Sequence, residues 1–199
     1  CGSPQASKGR ILFEGQDISR MPMHEICNLG IQQSPEGRRI FPRMTVMENL
    51  QMGAGLDDLK YFKEDVEKIF TMFPRLKERQ SQRGGTLSGG EQQMLVIGRA
   101  LLTSPRIMTI DEPSLGLAPN LVDRVYETLL ELRKDRGLTL LIVEQSSERA
   151  LKSADRLYVL RSGQMQLEGN VADLQDGEKV RQAYFGFDEG ATHDKEVAF

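Results

Sequence analysis

The order of apolar and amphipathic segments between residues 106 and 143 places the strongest constraint on how this chain can fold. Residues 106–110, RIMTI, and residues 138–143, LTLLIV, predict strands, and the second run is typical of a strand buried on both faces. Residues 120–134 lie between them and carry leucine and valine at helical spacing. A strand, a helix and a second apolar strand predict a parallel sheet of the α/β class.

Composition narrows the class of protein. The chain has 199 residues, of which 39% are hydrophobic and 28% charged, and this fits a globular domain with its own core. Its net charge of -3 argues against a general binder of phosphate backbones, which is normally basic, so we expect no nucleic-acid partner. No apolar run approaches the length of a membrane-spanning helix.

The segment at about residues 37–104 shows helical patterns and no clear strand. A helix starts at Thr45, where Glu48 completes a capping box, and residues 61–73 form an amphipathic helix. Another helix covers residues 91–102, whereas residues 30–44 are predicted to be a loop. These features predict a helical subdomain inserted into the sheet domain.

The last third of the chain predicts smaller elements. Residues 146–153 are helical, and residues 156–160 and 164–167 form a hairpin that turns at Ser162 and Gly163. A final helix covers residues 177–184, and the polar residues 186–199 are expected to be frayed.

Residues 86–93, TLSGGEQQ, combine a well-capped helix start with two glycines. Ser88 can accept a hydrogen bond from the Glu91 amide, and the Glu91 carboxylate can accept one from the Ser88 amide. Gly89 and Gly90 bring no side chain over the remaining amides of the first turn, so a phosphate can approach them closely. The alternative is an ordinary capped helix with a glycine kink, and this stretch alone does not decide between the two.

Two adjacent acids follow the first apolar strand, in the sequence RIMTIDEPSLGLAP. Asp111 lies at the edge where α/β sheets bind ligands and is suited to hold Mg²⁺ directly or through water. Glu112 would direct an attacking water at a phosphate as a general base. The alternative, two solvated loop acids, is the weaker interpretation because the pair lies between a buried strand and Pro113. Gln145 follows the second strand at the same edge, which is a weak signal by itself.

The strings LSGGEQQ, IDEP, SLGL and LIVEQ occur in an order and at spacings that resemble the ATP-binding subunits of ABC transporters. More narrowly, PEGRRIFPRMTVMENL, DEPSLGLAP and VRQAYFG resemble the ATPases of branched-chain amino acid transporters. The resemblance covers residues 1–186 and implies an α/β, P-loop NTPase-like parallel sheet with an inserted helical subdomain. Residues 105–186 would carry the Walker B acids, the D-loop, the switch position and the C-terminal part, followed by a disordered tail at residues 187–199.

The resemblance also implies a site shared between two subunits. In this family two ATPase subunits meet head to tail, and the signature helix of one contacts the γ-phosphate of ATP held by the other. The signature residues that would face the nucleotide of the partner are Ser88, Gly89, Gly90 and Glu91. Asp111 would ligate Mg²⁺, Glu112 would be the catalytic base, and Ser114 would begin the D-loop that contacts the opposite subunit.

Two positions depart from the family pattern. The loop between the sheet and the helical subdomain normally carries a glutamine that ligates Mg²⁺, and here Glu36 occupies that place. A glutamate can still ligate a hard cation. The switch position, usually histidine, is Gln145, which can orient a phosphate oxygen or a water but cannot take its proton. We therefore expect Glu112 to be the base and Gln145 to position.

The chain contains no GxxxxGK[ST] string. In the family this P-loop lies just before the point that matches the first residue here. We therefore expect a truncated copy of a normal ATPase rather than a non-catalytic remnant, with weak ATP binding and little hydrolysis by this chain alone.

These features predict an ATP- and Mg²⁺-dependent subunit of an importer for branched-chain amino acids. Its expected partners are a second ABC ATPase subunit and membrane-embedded permease subunits, which place it peripherally on the cytoplasmic face of the inner membrane. The alternatives are an ATPase for another small polar solute, such as urea or short amides, and a soluble ABC ATPase without a permease. A basic cluster of Arg38, Arg39 and Arg43 is predicted to be a solvated surface, or alternatively a contact with the permease.

Overall fold

The computed structural model describes residues 7–54, 62–174, 180 and 183. The chain divides into two compact units, Cys1–Val143 and Glu144–Phe199. The strands and helices of the first unit are β1 (Leu12–Phe13), β2 (Gln16–Asp17), α1 (Met23–Asn28), β3 (Ile31–Ser34), α2 (Val46–Gln51), α3 (Phe62–Met72), α4 (Pro74–Glu78), α5 (Gly89–Leu101), β4 (Ile107–Asp111), α6 (Pro119–Arg136) and β5 (Thr139–Val143). Those of the second unit are α7 (Ser147–Ser153), β6 (Arg156–Arg161) and β7 (Gln164–Asn170).

The centre of the first unit is a three-stranded sheet in the order β3–β4–β5, and both pairings are parallel. Ser34 pairs with Ile110, and Asp111 pairs with Val143. Helix α6 connects β4 to β5, so the predicted strand–helix–strand unit with a parallel sheet is confirmed. Because the strands run in one direction, their carboxyl ends share one edge of the sheet.

Strand β3 lies within residues 30–44, for which the sequence predicts a loop, and for these four residues the prediction is wrong. Ile31 and Ser34 are buried, but Gln32 and Gln33 between them hide any apolar pattern. Four residues are too few to show the two-residue period of a strand. The strand is recognisable only through its pairing with β4, which is far away in sequence.

Strand β5 is less buried than its sequence LTLLIV predicts. Leu141 and Val143 are 53% and 56% exposed, whereas Leu140 and Ile142 pack against the main core. Successive side chains of a strand point to opposite faces. The prediction of burial on both faces is therefore wrong for the described part of the chain, in which one face of β5 carries the contacts with the core.

The main core of the first unit joins the sheet to the helices between β3 and β5. Met108 and Ile110 of β4 are fully buried in it. The buried helix residues include Val46, Leu50, Val66, Ile69, Phe70, Leu95, Ile97, Val125 and Leu129. One apolar cluster thus anchors both the sheet and the helical segment that follows β3.

The capping box predicted at the start of α2 is confirmed. The Glu48 amide donates to Oγ1 of Thr45 at 3.1 Å, and the Thr45 amide donates to Oε2 of Glu48 at 2.7 Å. The hydrogen bonds from the backbone and side chain of Thr45 lower the pKa of Glu48 below its ordinary value. The predicted amphipathic helix at residues 61–73 corresponds to α3, and Pro74 is the first residue of the helix that follows it, α4.

The second unit contains the predicted hairpin. Strands β6 and β7 pair antiparallel, and Ser162 and Gly163 form the turn between them. Val159, Leu174 and Val180 form a small core under the hairpin. Most of the helix predicted at residues 177–184 and the whole tail at residues 187–199 lie outside the described residues. Of the helices that the structure describes, none combines the length and apolar character required to cross a bilayer.

Asn49 fixes the turn that leads into α2, although its side chain is completely buried. Its Oδ1 accepts the Phe41 amide at 2.8 Å, and its Nδ2 donates to the carbonyls of Phe41 and Thr45, each at 2.9 Å. A third carbonyl, that of Met44, lies at 3.3 Å from the same Nδ2. One amide thus satisfies several buried backbone groups.

We predict that Asn49→Ala lowers the free energy of unfolding by about 3 kcal/mol, because buried backbone groups lose their partners and a cavity remains. Urea denaturation of the two proteins measures the difference. Asn120→Ala is the control, since Asn120 is exposed on α6 and its replacement is expected to cost about 0.5 kcal/mol or less. Equal losses in the two variants would contradict the role assigned to Asn49.

Candidate functional site

The candidate site begins at the carboxyl edge of the sheet, where β3 and β4 end. Glu36 follows β3 after Pro35 and is exposed, and Asp111 is the half-buried last residue of β4. The parallel register, with Ser34 beside Ile110, brings both acids to the same edge. The structure thus places one predicted metal-binding residue at the end of β4 and the other two residues beyond the end of the neighbouring strand β3.

Glu112 turns the chain sharply at the end of β4. Its φ is 45°, a left-handed conformation that costs a residue with a side chain about 1–3 kcal/mol. Its amide donates to the Val143 carbonyl at 2.9 Å, and its own carbonyl accepts the Leu115 amide at 3.1 Å. Backbone strain of this kind concentrates at active sites, and these hydrogen bonds hold the residue in place.

The segment after Glu112 is a compact turn that contains Ser114. The Leu117 amide donates to the Ser114 carbonyl at 3.2 Å. Gly116 has a φ of 67°, which suits glycine, and Leu115 is 50% exposed. The turn leads into α6, whose first residue is Pro119.

The start of α5 forms the predicted capping box. The Ser88 amide donates to Oε2 of Glu91 at 2.9 Å, and the Glu91 amide donates to Oγ of Ser88 at 3.4 Å. The other carboxylate oxygen of Glu91 lies 3.0 Å from Nε of Arg79. Because both oxygens are engaged within the chain, Glu91 shapes the turn and its partner Arg79 supports it, a contact that the sequence analysis missed.

The sequence predicts that no side chain lies over the first-turn amides at Gly89 and Gly90, and the structure adds that the positions of their own absent side chains are crowded. A Cβ atom at Gly89 would lie 3.2 Å from Nη2 of Arg38, and one at Gly90 would lie 2.9 Å from Cδ1 of Leu121. The same chain therefore fills the space that the missing side chains leave. A side chain at Gly90 would force Leu121 of α6 to shift, independently of any ligand.

Arg38 is the second residue that the sequence analysis missed as part of the site. It is half-buried rather than solvated, and its Nη2 donates to the carbonyls of Leu115 and Gly116 at 3.1 and 3.4 Å. A basic pair after a glycine is the only sequence signal, and it does not distinguish Arg38 from its exposed neighbour Arg39.

Gln145 belongs to the second unit, where it is exposed and precedes α7. Its amide and that of Ser146 donate to Oε1 of Glu144 at 3.0 and 3.1 Å. The same oxygen lies 3.6 Å from Nη1 of Arg149. Glu144 thus fixes the backbone that carries Gln145.

The donor set of the first unit fits a magnesium ion that arrives with a nucleotide. Mg²⁺ in nucleotide sites takes one or two carboxylates, and phosphate oxygens and water complete its coordination. Asp111 and Glu36 provide two such groups at the sheet edge. Within residues 7–54 and 62–174, no three or more His, Cys, Asp or Glu side chains cluster as a metal cage would require.

Comparison with known proteins identifies the family. Residues 1–115 match the family model described as ABC transporter. The high-affinity branched-chain amino acid transport ATP-binding protein BraG of Pseudomonas aeruginosa is 48% identical over 94% of this chain and 79% of its own length. The probable branched-chain amino acid transport ATP-binding protein LivF of Archaeoglobus fulgidus is 34% identical over 93% of this chain and 78% of its own length.

A solved structure of MJ1267, an ATP-binding cassette of an ABC transporter, superposes with a TM-score of 0.78 at 32% identity. The match covers 92% of this chain and 79% of that one. The chain therefore belongs to the ABC transporter family, with the α/β fold of its ATP-binding cassettes, which are the ATPases of that family.

Proposed function

We propose that this protein binds and hydrolyses ATP to energise an importer of branched-chain amino acids. The observation that carries the proposal is the end of β4, where Asp111 closes the strand and Glu112 is held in a left-handed turn. The identity with BraG supports the choice of solute. The family membership supports nucleotide binding, and the residues of the sheet edge support the assignment of individual roles.

Asp111 and Glu36 would hold Mg²⁺ with the phosphates of ATP. The metal, when bound, neutralises charge that develops on the phosphate oxygens. Glu112 would accept the proton of the attacking water, because it directly follows the Mg²⁺ ligand and its backbone is fixed by Val143 and Leu115. Gln145 would orient a phosphate oxygen or the water, since an amide side chain cannot take a proton.

Ser88, Gly89 and Gly90 would contact the nucleotide held by a second ABC ATPase subunit, arranged head to tail. The capping box supports this assignment because it fixes the first turn of α5, and Glu91 would act by maintaining that turn. Ser114 and the turn that follows it would contact the opposite subunit.

The helical subdomain at about residues 37–104 would dock on the permease, at the cytoplasmic face of the inner membrane. The helices α2, α3, α4 and α5 lie within this segment, between β3 and β4 of one sheet. A movement of the segment that follows β3 can therefore be transmitted to the sheet edge through Glu36. A membrane-bound ATPase for a different small polar solute, or a soluble ABC ATPase, would use the same sheet edge.

We predict that Glu112→Gln reduces the kcat of ATP hydrolysis at least about 100-fold, because the amide cannot accept a proton, while ATP binding persists. Phosphate release and nucleotide binding are measured on the full chain as its gene encodes it. Glu64→Gln is the control, since it makes the same chemical change at an exposed position of α3 and is expected to leave the rate unchanged. Wild-type turnover by Glu112→Gln would contradict the assignment of the base.

Mixing two inactive variants tests the shared site. Glu112→Gln removes the base from the subunit's own site, and Ser88→Glu repels the phosphate held by the partner. In a dimer that contains one of each, one site carries both defects and the other carries neither. An equal mixture should therefore recover about a quarter of the active sites of the wild-type dimer. If activity does not return on mixing, Ser88 does not act on the nucleotide of a second copy.

The solute is tested on the assembled transporter. We predict that the protein co-purifies with a membrane-spanning permease, and that leucine, isoleucine or valine with the cognate binding protein raises its ATPase rate several-fold. Urea and acetamide are the matched controls and should leave the rate at its basal value. Stimulation by urea alone would favour the alternative solute, and purification without a permease would favour a soluble ATPase.

A further inference from the structure

The side chain of Arg38 contacts two segments of the candidate site, and Arg38 is near Glu36 in sequence. Nη2 of Arg38 donates to the carbonyls of Leu115 and Gly116, in the turn that follows Glu112. Nη1 of Arg38 lies 3.5 Å from Oε1 of Gln92, in the first turns of α5. Arg38 itself is two residues beyond Glu36.

The surroundings of Arg38 are shaped to receive a guanidinium group. A Cβ atom at Gly89 or at Gly116 would lie 3.2 Å from its Nη2, so both positions leave room where a side chain would crowd it. The side-chain Nε2 of Gln92 donates to the carbonyls of Gly84 and Leu87 at 3.3 and 3.2 Å, which directs its Oε1 towards Arg38. The contact is therefore built from both sides.

The backbone at Arg38 is strained in a way that an exposed surface loop does not need. Gly37, Arg38 and Arg39 have successive φ values of 73°, 64° and 41°. The Arg39 amide donates to the Gly37 carbonyl at 2.7 Å, which closes a three-residue turn with Arg38 at its centre. The left-handed form of this turn is rare and strained, and here it places the arginine side chain against α5.

A short path of hydrogen bonds leads from Arg38 to Glu112. Arg38 binds the Leu115 carbonyl, and the Leu115 amide binds the Glu112 carbonyl at 3.1 Å. A guanidinium can serve acceptors on two sides because its five N–H groups diverge in one plane. The ammonium of a lysine, a compact point charge on a flexible stem, does not provide this planar fork.

We propose that Arg38 is a positioning residue, which sets the turn at Glu112–Gly116 relative to the start of α5 and so aligns the base with the signature residues. This inference rests on the proposed ATPase function. In this proposal Arg38 makes no contact with the nucleotide. Its effect on Glu112 passes through Leu115, whose carbonyl binds Arg38 and whose amide binds the Glu112 carbonyl. Its loss should therefore lower the rate of hydrolysis more than the affinity for ATP.

The test compares Arg38→Ala, Arg38→Lys and Arg39→Ala in the full-length protein with its partner subunit. Arg39→Ala is the matched control, because it removes the same charge from the adjacent exposed residue, whose φ is also positive. We expect kcat to fall about tenfold in Arg38→Ala while KM for ATP changes less than about twofold, as for a misplaced base. Arg38→Lys should recover only a small part of the rate, and Arg39→Ala should keep the rate of the wild type.

Hydrogen exchange provides a second readout that does not depend on turnover. The amides of Leu115 and Leu117 should exchange faster in Arg38→Ala than in Arg39→Ala, while the thermal midpoints of the two variants agree. Equal kcat values in Arg38→Ala and Arg39→Ala, or a rise in KM without loss of kcat, would overturn the inference and leave the proposed function standing. Absence of hydrolysis by the full-length wild-type protein with its partner subunit would instead overturn the proposed function.

Discussion

Parallel pairing of β4 with both of its neighbours is the interaction on which the rest of the first unit depends. Its two inward residues, Met108 and Ile110, are fully buried, so the strand cannot slip by one residue without turning polar groups into the core. The same register sets Asp111 beside Val143 and lets the Glu112 amide reach the Val143 carbonyl. The position of both acids is thus fixed by burial of apolar side chains that never touch a ligand.

The sequence predicts those features that arise from neighbours in the chain. Both capping boxes join residues three positions apart, and the hairpin turns at two adjacent residues, so local chemistry is sufficient for them. Strand β3 and the role of Arg38 depend on partners far away in sequence. Arg38 and Leu115 are separated by 77 positions, and nothing in either local pattern points to the other. The acids after β4 were predictable because a strand and its end are visible together.

Gly89 and Gly90, in the first turn of α5, show that one sequence pattern can have two explanations, ligand binding and packing. A first turn without side chains is compatible with an approaching phosphate. The sequence alone supports a simple glycine kink equally well. The structure adds that Leu121 occupies the space beside Gly90 and Arg38 the space beside Gly89. A side chain at either glycine would force Leu121 or Arg38 to shift, so a substitution there would disturb the site before any ligand is considered. This is why the tests of the shared site use Ser88, whose contacts are with Glu91 and not with α6.

Positive φ angles at non-glycine residues mark three positions at or beside the candidate site. Six non-glycine residues of the described chain have positive φ, namely Glu14, Arg38, Arg39, Ser104, Glu112 and Ser162. Glu14 and Ser162 each precede a glycine of positive φ in a two-residue hairpin turn, and Ser104 follows the end of α5, so turn chemistry accounts for them. No hairpin or helix end accounts for Arg38, Arg39 and Glu112. These three flank the sheet edge, and the hydrogen bonds from Arg38 to Leu115 and from Leu115 to Glu112 connect two of them, Arg38 and Glu112. At Arg38 and Glu112 the local backbone preference is overridden, and the positions so reached are those that bring Arg38 against α5 and turn the chain at the end of β4.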